Sequence, residues 1–325
     1  MLRWEKQRYT FPMQKEGTYR NMSEAQSNHE NKTFSNAPIG IFDSGYGGLT
    51  VARALTESMP HENIIYVGDT ARCPYGPRDL HEVDGFVQQI GGWLIDQGVK
   101  LLVIACNTAT AAGLVHAQQT FDVPVVGVVE PGARAAVRAT LNRRVGVIAT
   151  KGTIESGAYS TAIRNLDAGI TVFSTPAPRF VEIAELGVRM AEGPVETFMS
   201  EASKVYIRPE FQAIALEYLD PLRKCGIDTL VLGCTHYPLL KTLIGGVVGH
   251  EVTLISSAEE TAHDVAETLA RRGQLASPEN TAQWRFFTTG DNVEEFRRFG
   301  SRVFNTELDN VENIPLNALS VHAPH

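Results

Sequence analysis

Cysteine is scarce in this chain. Four thiols, Cys73, Cys106, Cys225 and Cys234, are spread over 325 residues. That is too few to frame a disulfide-stabilised secreted domain of this size, and no CxxC pair suggests structural zinc. Long apolar runs are missing as well. None reaches the ~18–20 residues that a membrane-spanning helix needs. No continuous apolar stretch follows the basic residues of MLRWEKQRYTFPMQKEG, so that segment does not read as a secretory signal. Positive charge is in deficit: 29 Lys and Arg face 37 Asp and Glu, a formal charge of −8. No global field therefore draws the chain to nucleic acid or to anionic lipid. An anionic small substrate stays open, because a site can be locally positive. These absences leave a cytoplasmic protein with free thiols, no membrane association and no nucleic-acid partner as the expectation.

What is present is enough apolar material for real cores, 43% hydrophobic against 20% charged residues. The length suggests about two domains of ~100–200 residues each. Residues 1–36 are polar, lack sustained periodicity and read as a disordered or loosely docked tail. Beyond them short apolar runs alternate with helical spacing. The runs are Ile39–Phe42, Ile64–Val67, Leu101–Ala105, Val125–Val128, Val145–Ala149, Thr171–Phe173, Thr229–Gly233 and Val252–Ile255. The helical segments are Leu49–Met59, Leu80–Gln97, Thr153–Leu166, Pro209–Lys224 and Ala258–Arg272. Strands alternating with helices predict parallel sheets in an α/β fold, and nearly continuous β-branched runs predict strands buried on both faces.

Ligands bind such sheets at the carboxyl ends of the strands. Asp43-Ser44-Gly45 follows one run, Cys106-Asn107-Thr108 another, Thr150 with Thr153 a third, and Cys234-Thr235-His236 a fourth. KLLVIACNTAT and DTLVLGCTHYP share one design, a strand, a small residue and a cysteine opening the next helix, 128 residues apart. Two similar halves, each carrying one thiol, are implied. A cysteine at a helix start meets unpaired N–H groups and the helix dipole, which favour the thiolate. Two thiols across a closed cleft suit a two-base racemase, in which one removes a Cα proton and the other donates from the opposite face. Asp43 is placed to orient an ammonium or a thiol proton, and His236 to assist Cys234.

Each feature also has a plain structural counterpart. A single buried cysteine after a strand is more often packing than chemistry, and DSG before two glycines is often only a turn. C-T-H lacks the second His or Cys cluster of a metal site, and GYGG is not a GxGxxG dinucleotide loop. Cys225, near the end of a helical run, reads as structural, and Cys73, in the RCPYG turn, as a cleft-side residue at most. It is the combination that points to chemistry.

The pieces GIFDSGYGGLTV, YVGDTARCPYG, VIACNTATA, VPVVGVVEPGA, VGVIATKGTIESGAY, RFVEIAELG and LVLGCTHYPLL stand in an order and spacing that resemble bacterial glutamate racemases, from about residue 38 to about residue 272. The resemblance implies two similar α/β domains with the active-site cleft between them. The last strands and helix return to the first domain, which gives residues 37–130 plus 252–325 for one and 131–251 for the other. It implies a reaction without cofactor or metal, with Cys106 as the base toward D-glutamate and Cys234 as the base toward L-glutamate. Asp43 and His236 match the residues assisting the two thiols. Glu185 aligns best with an acidic residue near the second thiol, with Glu182 the competing assignment. Substrate contacts carry over to Asp43, Ser44, Tyr75, Gly76, Asn107, Thr108, Thr235 and His236, with Thr150 and Thr153 as further contacts. The product would enter the cell-wall peptide. A homodimer is expected, and some relatives use N-terminal segments in activation by a cell-wall precursor, of which nothing in residues 1–36 gives a sign. Two stretches depart from the pattern, the long tail and the segment around AEGPVETFMSEASKVYIRPE; WRFFTTGDNVEEFRRFGSRVF reads as a strand-turn-helix extension packing on the first domain. An aspartate racemase, a thiol-based decarboxylase, a non-catalytic amino-acid-binding protein and a thiol-redox protein are the readings left to separate.

Overall fold

The protein was analysed as a computed structural model that describes residues 35–191, 202 and 204–319. The expected tail lies outside these residues except for Ser35 and Asn36. Most of the departing segment at 191–210 also falls outside them. The described residues all belong to one compact unit.

The alternation of short apolar runs and amphipathic segments folds as predicted, into parallel strands joined by helices. The first stretch runs β1 (Ile39–Asp43), α1 (Leu49–Ser58), β2 (Ile64–Gly68), α2 (Leu80–Asp96), β3 (Leu101–Ile104), α3 (Asn107–Thr120), β4 (Val125–Gly127) and α4 (Val129–Ala139). It continues with β5 (Arg144–Ala149), α5 (Lys151–Glu155), α6 (Ala158–Leu166), β6 (Thr171–Pro176), α7 (Arg179–Met190), α8 (Pro209–Lys224) and β7 (Thr229–Gly233). A 3-10 turn (Tyr237–Leu240), α9 (Lys241–Val248), β8 (Thr253–Ser256), α10 (Ser257–Arg271), β9 (Trp284–Thr288), α11 (Val293–Phe304) and β10 (Val311–Asn313) follow.

Two all-parallel sheets result. The larger has the order β10-β9-β2-β1-β3-β4 and the smaller β6-β5-β7-β8. In β1, β2, β3 and β7 every residue is buried, because helices cover both faces. Ile41 and Val103 join a core with α1, α10 and α11, whereas Phe42 and Ile104, on the opposite face, pack with Val83, Val87 and Ile90 of α2. The first of these cores continues into the smaller sheet through Leu230 and Leu232.

Three features differ from expectation. The helix predicted over Thr153–Leu166 is two helices, because Gly157 takes a left-handed φ of 67° that interrupts the ladder. The strand at 253–256 pairs with β7 and so belongs to the smaller sheet; the chain returns to the larger sheet through α10, not at residue 252. Beyond the expected strand-turn-helix of β9 and α11, the short β10 adds the edge of the larger sheet.

In both sheets the chain reverses its winding at a central strand. β1 has β2 on one side and β3 on the other, and β5 has β6 and β7. Crevices at such switch points, beyond the carboxyl ends of the strands, are the natural ligand sites of this architecture. Strand register levels these ends, with Asp43 opposite Gly68 and Ala149 opposite Gly233.

Candidate active site

Asp43 is the last residue of β1 and is fully buried. Its carboxylate accepts the Gly45 N–H at 2.9 Å and the Thr235 hydroxyl at 3.3 Å, the latter from the other sheet. Burial raises its pKa, against the opposing pull of His236 and the Gly48 and Gly45 N–H groups. The glycines that follow allow the close approach: a Cβ on Gly47 would stand 2.4 Å from Thr235 Oγ1 and 2.6 Å from His236 Nδ1.

Cys106 caps α3. Its sulfur accepts the Ala109 N–H at 3.5 Å and its thiol donates to Ser44 Oγ at 3.7 Å. The helix start was expected to favour the thiolate. Instead burial, with the nearby Asp43 charge, pushes the thiol up to about 12, and the Ala109 N–H and Ser44 contacts offset only part of that. Desolvation of a residue only 6% exposed outweighs the helix terminus.

Cys234 is 7% exposed and follows β7, as predicted, but it does not open a helix. A bend and the 3-10 turn starting at Tyr237 intervene before α9. Its partner is His236, whose Nδ1 lies 3.9 Å from Sγ, while Nε2 faces Glu185 Oε1 at 3.2 Å. Burial works against charge on His236, but hydrogen bonds and Coulomb attraction to Cys234 and Glu185 prevail and push it up to about 10. Burial likewise opposes charge on Glu185, and His236 and Arg189 outweigh it, holding the carboxyl below its usual range. Of the two glutamates left open by the sequence, Glu185 reaches His236 and Glu182 is exposed.

Ser44, Tyr75, Gly76, Cys106, Asn107, Thr108, Thr150, Cys234, Thr235 and His236 line one cavity. Its enclosed space is about 30 Å³, room for roughly two waters at ~10–15 Å³ each. Thr108 Oγ1 lies 2.9 Å from Thr150 Oγ1 and 3.2 Å from Thr153 Oγ1, joining hydroxyls from the two sheets. Gly76 accepts the Gly152 N–H at 2.9 Å along the same seam. Asn107 Nδ2 is buried without a hydrogen-bond partner. Tyr75 lines the cavity, but its hydroxyl is engaged by Asp69, so only its ring and backbone face the site. Among the described residues no group of three or more His, Cys, Asp or Glu is arranged to hold a metal ion, and no helix is long and apolar enough to cross a membrane.

Comparison with known proteins now bears on this geometry. Residues 49–265 match the Asp/Glu/Hydantoin racemase family. A glutamate racemase of Listeria monocytogenes is 44% identical over 278 residues, 86% of this chain and 98% of that one. The chain belongs to the glutamate racemase family. A solved glutamate racemase of Bacillus anthracis has a TM-score of 0.78 at 40% identity, covering 88% of this chain and all of its own. One from Francisella tularensis, in complex with D-glutamate, has a TM-score of 0.75 at 34% identity over 87% of this chain and 99% of its own. Membership makes the protein an isomerase, an amino-acid racemase, and gives the two-sheet fold its parallel in solved relatives.

Some lining residues were not singled out from sequence. Val181, on α7, and Pro74 complete the cavity wall; Cys73, read from the sequence as a cleft-side residue at most, is a third thiol on it. Val181 falls within the RFVEIAELG motif, where only the acidic positions carried a chemical signal. Tyr159, whose hydroxyl meets Asn107, carried none, since a tyrosine in a helix gives no local sign of its partner.

Proposed function

We propose that the chain interconverts L- and D-glutamate by a cofactor-independent proton exchange at Cα between Cys106 and Cys234. The carrying observation is a pair of buried thiols on the wall of one small cavity, each with its own polar partners. One sulfur, as thiolate, takes the Cα proton while the other, as thiol, donates its proton to the opposite face of the carbanion; the two sulfurs exchange protonation states in each turnover. Cys106 acts on D-glutamate and Cys234 on L-glutamate.

Generating the thiolate is the costly step on the Cys106 side, where burial keeps the proton on sulfur. The substrate ammonium brings positive charge into a site that already holds Asp43, and charge of that sign favours a thiolate in dry surroundings. On the other side His236, protonated by its Glu185 and Cys234 contacts, presents Nδ1 to the sulfur and can pass a proton there. Neutral donors receive the substrate carboxylates and the developing charge: the Asn107 amide, the Ser44, Thr108, Thr150, Thr153 and Thr235 hydroxyls, and backbone N–H groups. A small, largely buried cavity keeps bulk water from the reacting atoms. In this reading D-glutamate supplies the cell-wall peptide and the protein works as a homodimer in the cytoplasm.

The test is L-glutamate in D₂O with purified protein and no added cofactor. Optical rotation decays toward zero and deuterium enters Cα of D-glutamate. Cys106→Ala and Cys234→Ala each lower turnover by at least ~10²–10⁴-fold, the usual worth of a positioned acid or base. Steady rotation, or a Cys234→Ala protein racemising near the wild-type rate, would end the two-thiol proposal. Rotation lost with L-aspartate but not with L-glutamate would move the substrate assignment.

A further inference from the structure

We propose that Tyr159 is a positioning residue: it sets the orientation of the Asn107 amide so that the site offers N–H, not C=O, to a substrate carboxylate. The inference rests on the reading above that Asn107 contacts substrate.

Tyr159 comes from α6 on the smaller sheet and Asn107 from the first turn of α3 on the larger, so their contact spans the two halves. The Tyr159 hydroxyl donates to Asn107 Oδ1 at 2.8 Å. The amide oxygen is the acceptor that the Tyr159 proton meets. An amide held by its oxygen turns its NH₂ the other way. Asn107 Nδ2 is then the buried, unpartnered donor on the cavity wall. Such a group costs ~1–3 kcal/mol when left unmade and is retained where a ligand completes it.

The ring is held to allow this. A Cβ on Gly132 of α4 would come within 3.1 Å of the Tyr159 hydroxyl, and one on Gly233, beside Cys234, within 2.9 Å of Tyr159 Cε2. Two glycines thus form the slot that brings the hydroxyl to the site. Orientation matters here more than in most anion sites, because no Lys or Arg is among the cavity's described lining residues. Neutral donors have to receive the carboxylates, and a flipped amide would replace one donor by an acceptor facing the anion. Burial also raises the Tyr159 pKa, so the hydroxyl stays a donor across the working range.

Tyr159→Phe keeps the ring and its slot while removing the hydroxyl. The expected result is a rise of about tenfold in glutamate KM in both directions, with kcat changed by less than about threefold, the signature of lost binding common to ground and transition states. The same substitution in an Asn107→Ala background produces no further rise, since the residue acts through an amide that is no longer there. An equal penalty in both backgrounds overturns the proposal, and so does an unchanged KM in Tyr159→Phe beside a raised KM in Asn107→Ala. If Asn107→Ala itself leaves KM untouched, the substrate contact assigned to Asn107 fails, and this inference with it. Should Tyr159→Phe not fold, Gly132→Ala tests the same contact: its Cβ, 3.1 Å from the Tyr159 hydroxyl, pushes that hydroxyl off the amide and raises KM by about threefold, and no rise overturns the proposal.

Discussion

His236 and Glu185 show how a single contact changes what a residue is. An isolated buried histidine would be neutral; flanked by a carboxylate and a sulfur it holds its proton to about pH 10, against an ordinary value of 6.5. Folding therefore raises this group's proton affinity, so its contribution to stability is full below about pH 6.5 and is lost as pH rises through about 10. Glu185, held low, contributes in the opposite sense: its share is present above 4.5 and disappears as pH falls through its folded value. The melting temperature of the wild type is accordingly expected to fall toward that of His236→Asn between pH 6.5 and 10. Melting curves across that range check it, and a gap that stays constant would mean that the ion pair adds nothing. The spacing of Glu182 and Glu185 could not decide between them, because both lie on α7 one turn apart. Only the position of that helix against His236 separates them.

Among the elements, the loop between β2 and α2 carries Cys73, Pro74, Tyr75 and Gly76 to the cavity, and its order comes from Asp69. This buried carboxylate accepts from the Tyr75 hydroxyl, from Arg72 Nε at 2.7 Å and from the Thr289 hydroxyl at 2.7 Å. Thr289 in turn accepts the Ala71 N–H at 3.0 Å, and Thr288 meets Thr70 at 2.6 Å. The segment after β9 is thus a latch on an active-site loop, although more than 200 residues separate them. Thr289→Val removes both hydrogen bonds and leaves a buried charge short of a donor, an expected loss of ~1–3 kcal/mol of stability with a raised KM for glutamate. Urea unfolding and initial rates test the two parts separately; an unchanged KM would reduce the latch to a structural role. From sequence the β9–α11 unit was legible as strand, turn and helix, because these follow local patterns. Its hold on the loop was not, since the partners lie far apart in the chain.

At the scale of the whole molecule, chemistry and anchorage occupy opposite ends of the larger sheet. Asp43 ends β1 and Cys106 sits just beyond β3, with Cys234 just beyond β7 of the smaller sheet, whereas Glu62 and Lys100 lie just before β2 and β3. Their ion pair, 2.6 Å long and almost wholly buried, also binds the chain together: Lys100 Nζ donates to the Ser35 and Gln274 carbonyls, and Glu62 accepts the Ala276 N–H. Lys100→Met strands the Glu62 charge and is expected to cost ~3–5 kcal/mol, measured by denaturant unfolding. Adding Glu62→Gln recovers part of that loss, and kcat of the folded protein stays at the wild-type value. A loss below about 1 kcal/mol would place the pair among weakly coupled surface bridges.

The sheets themselves are joined through α4 and α10, which pair Arg134 with Asp264 and Arg138 with Glu260. The residue pattern alone determined the parallel α/β class, most strand positions, and the presence of Asp43, Cys106 and Cys234 at strand ends. Periodicity and strand-end chemistry are local, so neighbouring residues suffice to reveal them. Tertiary structure alone decided that Glu185 holds His236, that the Tyr75 hydroxyl turns to Asp69, that Tyr159 reaches Asn107, and that Cys106 keeps its proton despite capping a helix. Each of these depends on burial or on a partner brought in by the other sheet, and desolvation is a property of everything packed around a group rather than of its place in the chain.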